Sequence, residues 1–502
     1  MSSIRVVRGG DVFRIPCNES DTLLALLRRA GCTLPAACGG HGRCGKCRVS
    51  VNGVPRLACR VVPEDGDEVV LPPAAGGRIL TETLDPPAAA TGESGCATAV
   101  DLGTTTVAVR LYDLATGQPL ATCAAWSDLS AYGADVITRI QYTIAHPKGL
   151  AALSRAARDQ VERLLTQALS QAGRKQAELK RVVAVGNTVM QSLLTGVSVR
   201  PLAAAPFCPE TLFREKRSDT LLGAPLYCAP CAAGYVGGDI TAGLLASGLA
   251  ERAGQFLFLD IGTNGEMALG GRDGFACCAV AAGPAFEGAG IACGMPGTDG
   301  AVSRVRYSGR FEMNVIGGGT ATGLCGSGLI DLVAVLRRLG GIDESGRLLP
   351  PEEAPEKLRG CLTRDGDGNG VFHLTDRVYL TAADVRALQL AKAAVAAGIQ
   401  VLLTQQDITL SALSGLYVAG GFGMYLDPAS AAAIGMLPPL PAGRLHSVGN
   451  AALAGAAALA LRGGTADALA VADKCTCIEL SGRPDFADAF AENIPLGPVQ
   501  WR

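Results

Sequence analysis

Hydrophobic positions change their period several times along this chain, and the changes mark its parts. "IRVVRGGDVFRI" alternates apolar and polar residues on both sides of Gly9-Gly10, as a hairpin does. "SDTLLALLRRAG" has the spacing of a short helix, with Ser20 as its expected N-cap and Gly31 as its stop. "CRVSVNGVPRLAC" reads as a second hairpin turning at Asn52-Gly53, and "DEVVLP" as a final strand. Residues 74–95 are rich in Pro, Ala and Gly with no sustained period, which predicts a linker.

From Thr98 the texture becomes α/β. "TAVDLGTTTVAVRLYDL" predicts strand, turn and strand, and "RVVAVGNTVMQSLLTG" strand, turn and helix. Between them Leu150, Leu153, Ala157, Val161, Leu164 and Leu165 recur at helical spacing. "QFLFLDIGTNGEMALG" repeats the strand, Asp-x-Gly-Thr turn and strand, so "DLGTTT" at 101–106 and "DIGTNG" at 260–265 look like one device used twice. "LYVAGGFGMYL" predicts a strand entering a Gly-Gly turn, and "GLCGSGLIDLVAVL" a helix that starts with small residues.

Length changes this picture by setting the scale: 502 residues exceed one core and predict two to four domains. Apolar residues make up 48% and charged residues 18%, a globular composition, and the net charge of −2 gives nucleic acid no basic footprint. The N-terminus lacks a signal-peptide core and no uncharged apolar run reaches about 18 residues, so the expectation is a cytoplasmic protein without a membrane span. Ala-rich "NAALAGAAALALRGG" is expected to be a buried helix. Eighteen cysteines without a secretion signal predict thiols in a reducing compartment, clustered ones acting as ligands.

Cys38, Cys44, Cys47 and Cys59 form C-x5-C-x2-C-x11-C, three of them in the Gly-rich loop "CGGHGRCGKC". Four thiolates in this arrangement suit a [2Fe-2S] cluster, with one residue more in the first gap than the plant-type spacing. Zinc knuckles pair two C-x2-C units, and a thioredoxin-type dithiol opens a helix; neither matches this loop as well. Cys17 and Cys32 have no ligand spacing and read as packing residues. "YCAPC" (Cys228, Cys231) and "KCTC" (Cys475, Cys477) could make a second site, although nothing in the sequence joins them. The four histidines are scattered. "RDGDGNGVFHLTD" places Asp365, Asp367, Asn369, Gly370 and Asp376 at calcium-loop offsets, but strand-like residues follow, so a hairpin turn is expected.

A carboxylate ending a buried strand, followed by Gly and Thr, presents backbone N–H and hydroxyl groups to phosphate, while the acid can orient Mg2+ through water. Two such turns could pinch a triphosphate from both sides. Their order, with the late Gly-Gly-Phe, resembles the acetate and sugar kinase/Hsc70/actin fold. Together with the cysteine loop, "GNTVM", "YVGGD", "AAGPAFEGAGIACGM", "CGSGLID" and "IELSGRPDFADAF" resemble the ATP-dependent reductive activators of corrinoid proteins over nearly the whole chain.

The resemblance implies an α+β ferredoxin-like (β-grasp) domain at 1–73, a linker at 74–95, and a two-lobed α/β actin-like ATPase with lobes at 96–255 and 256–502. It implies an enzyme that uses ATP to pass one electron from a [2Fe-2S] cluster to a Co(II) corrinoid, restoring Co(I) for methyl transfer. Asp101, Gly103, Thr104, Thr105 and Thr106 match the first phosphate turn, and Asp260, Gly262, Thr263 and Asn264 the second. Gly420, Gly421 and Phe422 match the adenosine turn, and Gly326 and Ser327 open a helix suited to phosphate or ribose. Asp239 and Glu287 are further carboxylates for metal or water, with a helix N-cap or turn partner as the plain alternative. Longer relatives insert a domain for which this chain has only the linker.

Expected cofactors are the cluster, ATP and Mg2+. Expected partners are a corrinoid-binding methyl-carrier protein and a low-potential donor of ferredoxin or flavodoxin type, with a homodimer as candidate assembly. Other readings stay open: a small-molecule kinase with a fused redox domain and Asp239 as base, an activator of 2-hydroxyacyl-CoA dehydratases, or a nucleotide-binding iron–sulfur redox sensor.

Overall fold

The structure is a computed structural model that describes residues 2–8, 11–18, 20–30, 32, 34, 40, 42, 47–71, 91–215, 217–441 and 443–502. The first hairpin forms β1 (Ser3–Arg8) and β2 (Asp11–Pro16), and the second β3 (Arg48–Val51) and β4 (Val54–Leu57). With β5 (Glu68–Val70) they make a sheet of order β2-β1-β5-β3-β4, in which β1 and β5 run parallel. Helix α1 (Leu23–Arg29) lays Leu23, Leu24, Leu26 and Leu27 into one cluster with Ile4, Val6, Val49 and Val69. A helix over a mixed five-stranded sheet is the β-grasp arrangement expected, and Cys17 and Cys32 pack with that core.

Asn52 and Gly53 both have positive φ, 50° and 80°, which a two-residue type I′ turn requires. The cap of α1 differs from expectation. Thr22 Oγ1 accepts from the Ala25 N–H at 3.3 Å, whereas Ser20 donates its N–H and hydroxyl to Asn18 Oδ1. The Asn18 turn claims Ser20 before it can serve the helix. Gly9-Gly10, Gly31 and most of the expected linker lie outside the described residues. At the linker's end Glu93 pairs with Arg181 at 2.7 Å.

Two six-stranded sheets follow. The first has order β10-β11-β9-β6-β7-β8 and comprises β6 (Cys96–Leu102), β7 (Thr106–Asp113), β8 (Pro119–Trp126), β9 (Leu179–Val185), β10 (Thr220–Leu221) and β11 (Ala224–Cys228). The second begins with β12 (Gln255–Ile261), β13 (Gly265–Gly271) and β14 (Gly274–Val280). Two three-stranded sheets intervene: β15 (Ala301–Tyr307), β16 (Phe311–Val315) and β17 (Gly323–Leu324), then β18 (Leu362–Arg364), β19 (Gly370–His373) and β20 (Tyr379–Thr381). The second large sheet is completed by β21 (Leu413–Ala419), β22 (Leu445–Gly449) and β23 (Cys475–Cys477), in order β22-β21-β12-β13-β14-β23.

Both large sheets are built around the strand that ends in the Asp-x-Gly-Thr turn. That strand pairs antiparallel with the one after the turn and parallel with a later one, which sets Asp101 opposite Val185 and Asp260 opposite Ala419. Residues 96–102 and 255–261 are apolar nearly throughout because both faces of these central strands are covered. At 365–369 the chain makes the expected hairpin turn, with Asp365 Oδ1 accepting from the N–H groups of Asp367 and Asn369.

Helices α2 (Val136–Ala145), α3 (Gly149–Gln171) and α4 (Thr188–Thr195) join the core of the first sheet, where the expected stripe Leu153, Ala157, Val161, Leu164 and Leu165 is buried. After α5 (Gly238–Ala246) come α6 (Gly326–Leu339), α7 (Glu356–Arg359), α8 (Ala382–Gln405), α9 (Gly420–Gly423), α10 (Pro428–Ala433), α11 (Ala451–Arg462), α12 (Ala466–Asp473) and α13 (Pro484–Glu492). The expected Gly-Gly turn is thus the start of α9. By length and composition α8 could cross a membrane, but 78% of its apolar window is buried in the protein. Its Lys392 Nζ donates to the Pro495 carbonyl at 2.6 Å, pinning the C-terminal segment along it.

Helix α11 leaves the second sheet and packs on β6 and β9 of the first and on α5. It is buried on every face, as its Ala-rich sequence suggested. A Cβ on Gly455 would lie 2.1 Å from the Ala242 carbonyl oxygen, so only glycine permits this crossing. Gly455→Ala is therefore expected to destabilise the protein by about 1–3 kcal/mol. Gly464→Ala, with nothing within 4 Å of its Cβ, is expected to be close to neutral, and thermal melting of the two variants checks the contrast.

Candidate functional site

The ends of β6 and β12 face each other across a cavity of about 270 Å³. Asp101, Gly103, Thr104, Thr105 and Thr106 line it from the first turn, and Asp260, Gly262, Thr263 and Asn264 from the second. Gly326 and Ser327 reach it from the start of α6, Gly420, Gly421 and Phe422 from α9, Asp239 from the start of α5, and Glu287 from a short 3-10 turn. Gly420 has φ +82°, and a Cβ there would sit 3.1 Å from Asp260 Oδ1. That close approach explains why the strand must end in glycine beside the second turn.

Asp239 is not the cap of its helix. Gly237 is, and Asp239 stands in the first turn of α5 with its own Oδ1 accepting from the Ile240 N–H. Glu287 ends the short 3-10 turn Pro284–Glu287 and bridges the lobes: its Oε2 accepts from Thr105 Oγ1 at 2.8 Å and from Thr263 Oγ1 at 2.9 Å.

Four further residues were not singled out as site residues from sequence. Glu266 lines the cavity from β13. Asn187 Nδ2 donates to Thr104 Oγ1 at 3.1 Å while its Oδ1 caps α4 through the Met190 N–H. Asn450 repeats the arrangement, donating to Asp101 Oδ2 at 2.7 Å while capping α11 through the Leu453 N–H. A signal for this pair was present, since Val-Gly-Asn stands at 185–187 and again at 448–450, each time between a strand and a helix. Buried Arg139 donates to the Thr104 carbonyl at 2.7 Å and the Gly133 carbonyl at 3.1 Å, fixing the first turn from behind.

Asp101, Asp239, Asp260, Glu266 and Glu287 crowd one cavity, and all five are pushed above the usual carboxylate range. Burial is the main cause for each. Asp101 rises to about 6 despite its bond from Asn450. Asp260 rises to about 7, helped by the Asp101 and Glu287 charges, and Asp239 rises through burial and then the Asp260 and Asp101 charges. Such a group of acids favours a cation among them. Among the described residues no three His, Cys, Asp or Glu side chains form a direct ligand set. The carboxylates therefore suit an ion that keeps part of its water shell, as Mg2+ does.

In the N-terminal sheet, Cys47 and Cys59 are buried with their Sγ atoms 3.3 Å apart. That is well beyond the ~2.05 Å of a disulfide and within reach of one metal ion. Gly42, at φ +73°, leaves room that a Cβ would take from the Arg60 guanidinium, and a Cβ on Gly40, at φ +94°, would lie 3.7 Å from Cys59 Cβ. Cys38 and Cys44 lie outside the described residues. Cys475 and Cys477 do find a partner, although not Cys228 and Cys231. Parallel pairing of β23 with β14 sets Cys477 opposite buried Cys277.

The 2Fe-2S iron–sulfur cluster binding domain family matches residues 8–67. The family described as the RACo middle region matches residues 96–252, and the C-terminal domain of RACo, the ASKHA domain, matches residues 254–500. The corrinoid activation enzyme RamQ of Eubacterium limosum is 32% identical over 416 residues, which cover 80% of this chain and 70% of that protein. The [Co(II) methylated amine-specific corrinoid protein] reductase of Methanosarcina barkeri is 26% identical over 424 residues, 76% of this chain and 73% of that one. The solved structure of a reductive activator for corrinoid, iron-sulfur protein superposes with a TM-score of 0.73 at 29% identity, covering 98% of both chains.

The raised Asp260 carboxyl generates a pH prediction. A folded-state value near 7 against 3.8 unfolded means that its favourable contribution is complete below about pH 4 and lost as pH rises through 7. Asn cannot ionise and escapes that loss. In metal-chelated, nucleotide-free protein, Asp260→Asn should therefore raise the melting temperature increasingly from pH 5 to pH 7 and level off above, by at most about 1.4 kcal/mol per pH unit. A gain that shrinks with pH would contradict the burial argument.

Proposed function

This chain belongs to the RACo-type family of corrinoid-protein reductive activators, and we propose that it uses ATP to drive reduction of a Co(II) corrinoid protein to the Co(I) state needed for methyl transfer. The observation that carries the ATP half is the convergence of both Asp-x-Gly-Thr turns, the start of α6 and α9 on one acidic cavity. The observation that carries the redox half is the buried Cys47–Cys59 pair. We take Cys38, Cys44, Cys47 and Cys59 as the four cluster thiolates. When bound, a cluster of this kind supplies one electron at about −400 mV.

In this reading the hydroxyls and backbone N–H groups of 103–106 and 262–264 hold the phosphates from two sides. Asn187 and Arg139 keep the first turn in shape. Asp101, Asp239 and Asp260 hold the waters of a Mg2+ ion, and Asn450 keeps Asp101 turned toward the cavity. Gly420, Gly421 and Phe422 bound the adenosine, and Gly326 and Ser327 face phosphate or ribose. The domain boundaries we propose are 1–73, a linker at 74–95, and lobes at 96–255 and 256–502. The partner is a corrinoid-binding methyl carrier, and a ferredoxin- or flavodoxin-type donor refills the thiolate-held cluster.

The two halves need one another. A Co(II)/Co(I) couple lying below the donor makes transfer uphill, and each 59 mV costs about 1.4 kcal/mol for one electron. A nucleotide offsets that cost only if it binds one state of the assembly better than the other.

The test is anaerobic. Reduced protein, Mg-ATP and a Co(II) corrinoid carrier are mixed and the cobalt absorption is followed. Asp101→Asn is expected to slow ATP-driven Co(I) formation at least about a hundredfold while the iron–sulfur EPR signal persists. Cys59→Ser is expected to lose that signal and Co(I) formation yet still bind nucleotide. ATP turnover that ignores added carrier protein, or Co(I) formation untouched by Asp101→Asn, would refute the reading.

A further inference from the structure

Glu287 occupies a place its sequence context does not explain. Its Oε2, Thr105 Oγ1 and Thr263 Oγ1 form a triangle with sides of 2.8, 2.9 and 3.2 Å. Each hydroxyl has one proton. Both are spent on the carboxylate, so neither is free for another acceptor. One hydroxyl belongs to the first phosphate turn and the other to the second, so the carboxylate oxygen lies where both turns would meet one phosphate oxygen.

The backbone around Glu287 is fixed. Gly283 and Gly288 flank the turn at φ +76° and +77°, and a Cβ on Gly288 would fall 2.4 Å from the Met295 nitrogen. Phe286 packs its ring 4.9 Å from that of Phe422 in the adenosine turn. A Cβ on Gly326 would lie 2.2 Å from the Phe286 carbonyl oxygen, so the same turn abuts the start of α6. Only the side chain of Glu287 has freedom to leave.

We propose that Glu287 is an internal stand-in for the terminal phosphate, a latch that ties the two turns together until a nucleoside triphosphate displaces it. The inference rests on the nucleotide reading of the cavity. Carboxylate and phosphate are both anionic acceptors for the same two donors and cannot hold them together. The terminal phosphate of a triphosphate takes the hydroxyls, and Glu287 turns aside next to it. Once that phosphate has left, the hydroxyls return to Glu287 and the cleft regains its nucleotide-free link. A diphosphate lacks the group that competes, so the latch distinguishes ATP from ADP.

A phosphate- or metal-holding role for Glu287 predicts the opposite sign in a binding experiment. Full-length, cluster-loaded protein is titrated anaerobically with Mg2+ and adenosine 5′-(β,γ-imido)triphosphate, and separately with Mg-ADP, by calorimetry. Glu287→Ala is expected to bind the triphosphate analogue about tenfold more tightly than the unmodified protein, the scale of one charge-assisted hydrogen bond, with ADP changed by less than about twofold. Glu287→Gln keeps the size of the side chain and removes its charge, and is expected to shift the analogue in the same direction by less. It answers the question if the alanine protein does not fold. Unchanged or weaker analogue binding in the variants would overturn the latch alone. Failure of the unmodified protein to bind either nucleotide would overturn the nucleotide reading beneath it.

Discussion

Five carboxyl groups share one buried cavity at the seam between two sheets, and the rest of the molecule is arranged to make that tolerable. Two unit charges 4 Å apart at an effective dielectric constant of 20 repel by about 4 kcal/mol. Left ionised and unaccompanied, Asp101, Asp239, Asp260, Glu266 and Glu287 would force the seam open. Burial pushes all five carboxyls above the usual carboxylate range, so each ionises less readily, and donors are aimed at them from the surrounding turns and helix ends. Asn450 serves Asp101, and Thr105 and Thr263 serve Glu287. A site balanced in this way responds to whatever cation and anion enter it.

The same constraint accounts for the duplicated architecture. A central strand ending in aspartate, an antiparallel neighbour after a glycine–threonine turn and a parallel neighbour across the other edge occur in each large sheet. Bringing the two strand ends together creates the acidic seam and the paired hydroxyls in one step. The strand-to-asparagine-to-helix unit is duplicated too, at Asn187 and Asn450, and both copies serve the first turn. That asymmetry follows from α11, which springs from the second sheet and beds on the first.

What the sequence made legible was chemistry confined to a few consecutive residues. Asp-x-Gly-Thr and Gly-Gly-Phe each fit within a turn, so neighbours in sequence are neighbours in space, and Cys47 meets Cys59 across a single hairpin. Contacts that depend on where the chain returns left no local mark. Asn450 lies 349 positions from Asp101, and Glu287 lies 182 from Thr105. Cys477 meets Cys277 only because β23 joins the sheet edge in parallel. The Ser20 cap failed for a nearer reason: Asn18, two residues upstream, offers a better acceptor than the helix offers donors. Helix α8 has the length and composition of a span and is instead an interior helix whose Lys392 has a carbonyl partner.

The hydrogen bonds of Asn450 to Asp101 and of Thr105 and Thr263 to Glu287 cross the seam at the cavity, which bears on how a nucleotide could do work here. Turning a two-state equilibrium from about 1:99 to 99:1 takes roughly 5.5 kcal/mol of differential binding. Hydrogen bonds to charged groups contribute about 1.5–3 kcal/mol each. Exchanging the bonds at Asp101 and Glu287 for bonds to a metal-bound triphosphate therefore lies on the required scale without any rearrangement of the sheets. Asn450 makes the exchange mechanical, because the side chain that releases or holds Asp101 is also the cap of α11. Helix α11 is packed so closely on α5 that a Cβ on Gly455 would lie 2.1 Å from the Ala242 carbonyl oxygen. A change of partner at Asp101 therefore acts on a side chain that also caps the helix packed between the two sheets.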